Sequence, residues 1–144
     1  MRIYLFVVGV LLTTLFSSCC SDCEGTIVRL KWIYINETPY QITHVNGNSL
    51  YNVAPFDTSI IDDERENVTG TISCGLFKEP PGTCFDSPCV ISYSGEKCDT
   101  LLISEGNQGI RDINRYECKK VSDKRFELTY RYTQSDYDIA KPCQ

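Results

Sequence analysis

Cysteine is the residue type with the widest chemical repertoire in this chain, which contains nine cysteines in 144 residues. Behind an export signal, cysteines at this density usually form disulfides in an oxidising compartment. If Cys19 serves another purpose, an even set of disulfide candidates remains: Cys20, Cys23, Cys74, Cys84, Cys89, Cys98, Cys118 and Cys143. We expect Cys74 to bond to Cys84 or Cys89, which would staple a loop rich in proline and glycine. We expect Cys98 to bond to Cys118.

The sequence lacks the motifs that metal binding and nucleophilic catalysis require. Cys20 and Cys23 have the two-residue gap of a zinc or redox pair, but no second pair at that gap follows. The only histidine, His44, would have to serve any Ser-His-Asp triad, and the chain has no nucleophile-elbow motif. We therefore interpret His44 as a surface or partly buried strand residue, and we expect no metal, no cofactor and no catalytic residue.

Acidic side chains offer one enzymatic alternative. The run from Asp62 to Glu66 lacks the ligand spacing and the glycine of a calcium-binding EF-hand loop, so we interpret it as a solvated loop. A secreted hydrolase would use carboxylates such as Asp57, Asp62 or Asp63, but it also needs a cleft and a defined carboxyl separation. The net charge of −5 argues against nucleic acid as a partner, because phosphate binding requires a basic surface.

Aromatic side chains are the best candidates for a non-catalytic binding face. Trp32, Phe126 and Tyr130 lie in strongly patterned segments and are expected in the core. Five others lie at or near predicted loops, where an exposed cluster would mark a binding face. These possible binding aromatics are Phe56, Phe77, Phe85, Tyr93 and Tyr116.

The N-terminus has the layout of a secretory signal. Arg2 precedes an apolar run that ends at Phe16, and this run is shorter than the roughly 20 residues that a membrane span needs. Phe16-Ser17-Ser18-Cys19 resembles the bacterial lipobox, although the first position of that motif is usually leucine. The resemblance implies cleavage before Cys19 and a diacylglycerol on its sulfur. The alternative is ordinary secretion of a disulfide-rich protein in which Cys19 stays a thiol.

Alternating apolar and polar residues mark two strands that bracket the domain, one from Val28 to Tyr34 and the other from Phe126 to Tyr132. Asn46-Gly47 predicts a hairpin turn between segments 40–45 and 49–53. Further short strands are expected at 58–61, 69–73, 90–93 and 100–104. One helical turn, capped by Ser135, is expected at 135–140.

These elements predict an all-β fold. We expect an antiparallel β-sandwich, immunoglobulin-like or of a related type, which disulfides staple and which contains at most one short C-terminal helical turn. The predicted organisation is a signal peptide at 1–18, a lipidated tether at 19–25 and a single β-sandwich domain at 26–144.

Taken together, the lipobox-like cysteine, the polar residues after it and the compact all-β pattern resemble the small cell-envelope lipoproteins of Bacteroidetes. The C-terminal residues Tyr130-Arg131-Tyr132-Thr133 are similar to the final strand of such domains. The resemblance implies an outer-membrane, lipid-anchored location, either periplasmic or surface-facing. It also implies a binding or structural module without enzymatic activity, with a protein or glycan as possible ligand.

Overall fold

The computed structural model describes residues 26–46, 49–77, 89–101 and 109–143. The predicted signal peptide at 1–18 and tether at 19–25 lie outside these residues, and with them Cys19, Cys20 and Cys23. Cys84 and Phe85 also lie outside them. The described residues form two β-sheets, and the side chains between the sheets make one hydrophobic core.

The two segments with the clearest alternation form the centre of one sheet. β1 (Thr26–Asn36) and β8 (Arg125–Tyr132) bury every second side chain, so Trp32 and Leu128, which lie opposite each other, are fully buried. These two strands run parallel, whereas all other strand pairs among the described residues are antiparallel. The parallel pair departs from our antiparallel prediction, because alternation determines which side chains face the core and not the direction of a neighbouring strand.

Two further strands complete this four-stranded sheet, in the order β4-β1-β8-β7. The second sheet has five strands in the order β3-β2-β5-β6-β9. The all-β sandwich predicted from the sequence is therefore confirmed. The remaining strands are β2 (Ile42–Asn46), β3 (Ser49–Val53), β4 (Thr58–Val68), β5 (Cys89–Tyr93), β6 (Lys97–Leu101), β7 (Glu117–Ser122) and β9 (Lys141–Pro142).

The hairpin prediction is confirmed, since β2 and β3 pair with Asn46 opposite Ser49 on either side of the turn. β5 and β6 form a second hairpin, in which Tyr93 lies opposite Lys97. β6 begins three residues earlier than the strand that we predicted at 100–104. The remainder of that predicted strand, at 102–104, lies outside the described residues.

β4 differs most from the prediction. The acidic run that we interpreted as a loop continues the strand, because Asp62 lies opposite Lys31 of β1 and Glu64 lies opposite Arg29. Each of these acids therefore faces a base across the strand pair, which stabilises the sheet. The strand predicted at 69–73 is wrong, and those residues have no regular secondary structure.

The predicted C-terminal helical turn is α1 (Gln134–Ile139), and its N-cap is Thr133 rather than Ser135. The Asp136 carboxylate accepts hydrogen bonds of 2.8 Å from both the backbone N–H and the hydroxyl of Thr133. Arg115 adds an ion pair of 2.7 Å to the other oxygen of Asp136. None of the helices in the described ranges is long and apolar enough to cross a membrane.

The disulfides differ from both predicted pairings. Cys74 bonds to Cys118 and Cys98 bonds to Cys143, with Cα–Cα distances of 6.0 and 4.9 Å. The first prediction assumed that the loop rich in proline and glycine is stapled to itself. The second assumed that Cys98 and Cys118 lie on neighbouring strands, whereas they lie on β6 and β7, which belong to different sheets. Cys98 lies opposite Lys141 of β9, which brings Cys143 beside it. Cys89 is buried at the start of β5, in the sheet that does not contain Cys118.

Candidate binding face

The aromatic residues proposed from the sequence do not form an exposed cluster. Tyr93 and Tyr116 are buried, and so is Phe77, which packs edge to face against Phe126 of β8. Phe85 lies outside the described residues. Phe56 is 71% exposed, at the turn between β3 and β4, where its φ of 54° is in the left-handed region. The prediction of a binding face on these side chains is therefore wrong for Phe77, Tyr93 and Tyr116, which fill inward positions of the sandwich.

The carboxylates considered for hydrolysis are not brought together either. Asp57 lies in the turn before β4 and accepts a hydrogen bond from the Thr58 backbone. Asp62 and Asp63 are consecutive in β4, so their side chains point to opposite faces of the sheet. Asp63 forms an ion pair of 2.8 Å with Arg65. In the described ranges no group of three or more His, Cys, Asp or Glu side chains could hold a metal ion.

The outer face of the four-stranded sheet consists largely of charges of alternating sign. One row across the four strands illustrates this pattern, and its residues are Asp62, Lys31, Glu127 and Lys119. A neighbouring row contains an ion pair of 3.0 Å between Arg29 and Glu64. Arg125, in contrast, lies beside Arg29, and Ile60 opposite Ile33 is an exposed apolar residue of the same face. A ligand over the paired charges would have to displace ion pairs as well as water.

The outer face of the five-stranded sheet has a different chemistry. Inward positions such as Ile42, Ile91 and Tyr93 are buried, and the residues that alternate with them face outward. In one outward row, Thr43 lies between Asn52 and Ser92 and donates a hydrogen bond of 2.9 Å to the Asn52 side chain. We call the outward residues of β2, β3, β5 and β6 the neutral face, because the following residues carry no charge: Thr43, Leu50, Asn52, Val90, Ser92, Cys98 and Thr100. Lys141 of β9, which lies opposite Cys98, is a charged residue at the border of this face.

A shallow concavity of about 490 Å³ lies where the neutral face meets the end of α1 and the strand β9. Strands β5 and β6 contribute its floor, and α1 and β9 contribute a wall. The lining residues are Val90, Cys98, Asp99 and Thr100 on the floor and Ile139, Lys141 and Pro142 on the wall. Ile139, the last residue of α1, is 74% exposed there. The concavity thus offers apolar contact, a hydroxyl, the ammonium group of Lys141 and the carboxylate of Asp99, and such a combination is typical of ligand sites in which a few polar groups fix orientation.

A stack of two tyrosines holds α1 against the five-stranded sheet, and no pattern in the sequence indicated this stack. The rings of Tyr40 and Tyr137 are nearly parallel, with centroids 3.8 Å apart. Lys97 lies 4.3 Å above the Tyr137 ring and donates a hydrogen bond of 3.1 Å to the Tyr137 carbonyl at the end of the helix. The hydrogen bond with Tyr40 raises the pKa of Tyr137 to about 12. This contact fixes the wall of the concavity.

His44 lies in the core and not at the surface. Its side chain points inward from β2, only 3% of the residue is exposed, and its Nε2 is hydrogen-bonded to the Tyr132 hydroxyl. Tyr34 packs edge to face against the imidazole, with ring centroids 6.1 Å apart. Burial lowers the pKa of His44 to about 4 and raises the pKa of Tyr132. A neutral imidazole with its proton on Nδ1 accepts this hydrogen bond from Tyr132.

We select the neutral face and its concavity as the candidate binding surface, where Leu50 and Ile139 expose 61% and 74% of their surface. Sequence alternation alone could not identify this face, because it appears only when four strands are placed side by side in register. No protein-family model, no curated protein and no solved structure matches this chain.

Proposed function

We propose that this protein is an exported, lipid-anchored component of a bacterial cell envelope, and that it binds a ligand through the neutral face without catalysing a reaction. The observation that carries the binding role is the contrast between the two outer faces. Most outward residues of the four-stranded sheet are charged, whereas the neutral face presents uncharged hydroxyl, amide and aliphatic groups. Removing water from such groups costs less than removing it from charges.

The anchor rests on the sequence of the first residues. Phe16-Ser17-Ser18-Cys19 resembles a lipobox, and a diacylglycerol on Cys19 would hold the protein firmly, because two acyl chains bind a membrane far more strongly than one. The two disulfides support an oxidising compartment such as the periplasm or the cell surface. In this proposal the domain faces the periplasm or the medium and stays tethered to the outer membrane.

The ligand class follows from the chemistry of the neutral face. Hydroxyl and amide groups on Thr43, Asn52 and Thr100 can exchange hydrogen bonds with an uncharged polar chain, and Val90 and Ile139 add apolar contacts beside them. Glycans and extended protein segments both have this mixed character. We therefore propose a glycan or a protein segment of low charge as the ligand.

Thr100→Lys should weaken ligand binding by at least about tenfold, because it adds a second ammonium group to the lining that contains Lys141, and burying a charge under a ligand costs more than one ordinary hydrogen bond contributes. Candidate ligands are obtained from glycan arrays and from pull-downs of envelope extracts, and each affinity is then measured by calorimetry. Thr58→Lys is the matched control, since Thr58 is an exposed threonine on the other sheet. Equal loss of affinity in both variants would refute the neutral face as the site. Empty screens together with measurable hydrolytic turnover would refute the non-enzymatic role.

Cys19→Ala should release the protein from the membrane fraction, because it removes the atom that would carry the lipid. Intact-mass analysis of the unmodified sequence should show that the first 18 residues are gone and that Cys19 is acylated. Cys20→Ala is the matched control and should remain in the membrane fraction. A Cys19→Ala protein that stays with the membrane would contradict the anchor.

A further inference from the structure

The described sheets have four edge strands, and three of them are protected against pairing with another strand. β4 carries consecutive acids at Asp62, Asp63 and Glu64. β7 carries the adjacent bases Lys119 and Lys120. β9 has two residues, of which the second is a proline without a backbone N–H. Charges, proline and shortness are the usual means by which proteins prevent edge-to-edge association.

β3 is the fourth edge, and it has none of these protections. Its five residues include no charge and no proline, and among the described residues it pairs with β2 alone. Leu50 is 61% exposed on this strand, and Asn52 is exposed beside it. The Val53 carbonyl accepts a hydrogen bond from Asn36, so the unprotected part of the edge lies before Val53.

We propose that β3 pairs with β3 of a second copy of this chain, antiparallel and about a two-fold axis at Tyr51. Leu50 then lies opposite the partner's Asn52, and Tyr51 lies opposite the partner's Tyr51.

A two-fold axis places each residue near its own counterpart, so an edge strand that carries charges of one sign repels the same strand of the second copy. The same operation on β4 would bring Asp63 against the partner's Asp63, and on β7 it would bring lysines together. β3 is the described edge of useful length on which self-pairing meets no like charge.

The pairing has a geometric consequence. It joins two five-stranded sheets into one continuous ten-stranded sheet, and the two neutral faces then lie on the same side. This goes beyond the proposed binding role and does not depend on what the face binds.

The experiment measures the mass of the full chain, expressed with its own export signal and purified in detergent, by light scattering corrected for detergent. The unmodified chain should have the mass of a dimer. Leu50→Asp combined with Asn52→Asp places two carboxylates opposite each other on both sides of the two-fold axis. This double variant should weaken the association of the dimer by about tenfold. Leu50→Lys combined with Asn52→Lys should do the same. An equimolar mixture of the two variants should recover the dimer, because each acid then faces a base.

Two controls separate loss of pairing from loss of folding. Both substituted positions are exposed, so circular dichroism melts of the variants should match the melt of the unmodified chain. Ile60→Asp, at a position 54% exposed on β4, should leave the dimer intact. A monomeric unmodified chain, a dimer that survives both charge variants, or a mixture that stays monomeric would each overturn the proposal.

Discussion

Asn36→Ala is expected to lower the free energy of unfolding by about 3–5 kcal/mol, because it leaves several buried polar groups without partners. The Asn36 amide nitrogen donates to the carbonyls of Tyr40, Val53 and Ala54 at 2.7, 3.3 and 2.9 Å. Its oxygen accepts from the backbone N–H and the hydroxyl of Thr38 at 3.0 and 2.7 Å. The residue is 1% exposed, so water cannot replace these bonds. One side chain thus connects the end of β1 to the segments before β2 and after β3.

Urea unfolding followed by circular dichroism measures this loss. The matched control is Asn52→Ala, since the exposed Asn52 side chain accepts one hydrogen bond from Thr43, and its removal should cost less than about 1 kcal/mol. Asn36→Asp should be as damaging as Asn36→Ala near neutral pH, because a carboxylate would face three carbonyl oxygens. An Asn36→Ala protein within 1 kcal/mol of the unmodified one, on the scale of a single hydrogen bond, would show that the network is not needed.

Acid should destabilise this protein through His44. The folded pKa is about 4, because burial disfavours the charged imidazole, and the unfolded value is about 6.5. Between these values the unfolded state binds a proton that the folded state does not, so the free energy of unfolding falls as pH falls. The loss is about 1.4 kcal/mol per pH unit and reaches about 3 kcal/mol at pH 4, below which both states are protonated.

The measurement compares the unmodified chain with His44→Gln, which keeps a hydrogen-bond acceptor for Tyr132 but does not titrate. Carboxylates titrate in both proteins, so their contribution cancels in the difference. The difference in stability between the two proteins should change by about 3 kcal/mol between pH 7 and pH 4. Parallel pH profiles would refute the assignment. The imidazole ¹³C shift, followed by NMR against pH, reports the folded pKa directly.

The parts of the fold that could be predicted from the sequence are those for which the residues of one segment suffice, namely strands with clear alternation and a turn with a characteristic dipeptide. β1 and β8 alternate cleanly, and the Asn46-Gly47 dipeptide specifies its hairpin without reference to the rest of the chain. β4 and β7 were missed wholly or in part, because their charges conceal the alternation. The role of those charges is evident only in the sheet, where a charge on the partner strand lies opposite, as Lys31 lies opposite Asp62.

The candidate site was less predictable than the fold, because it depends on which strands are neighbours. Thr43, Ser92 and Thr100 are unremarkable in sequence, and they form one face only after β2, β5 and β6 are aligned. Burial of His44 and of Tyr116 likewise depends on the facing sheet. The disulfides followed the same rule, since Cys143 meets Cys98 through the pairing of β9 with β6.

The Cys98–Cys143 bridge also determines where an added segment would emerge from the protein. Because Cys143 is bound covalently beside β6, a purification tag or fluorescent reporter fused after Gln144 would begin next to Lys141 and Pro142, at the wall of the concavity. Such a fusion would compete for the surface whose ligand is being sought. Binding screens therefore call for a tag that can be removed, or for a label placed on the charged sheet instead.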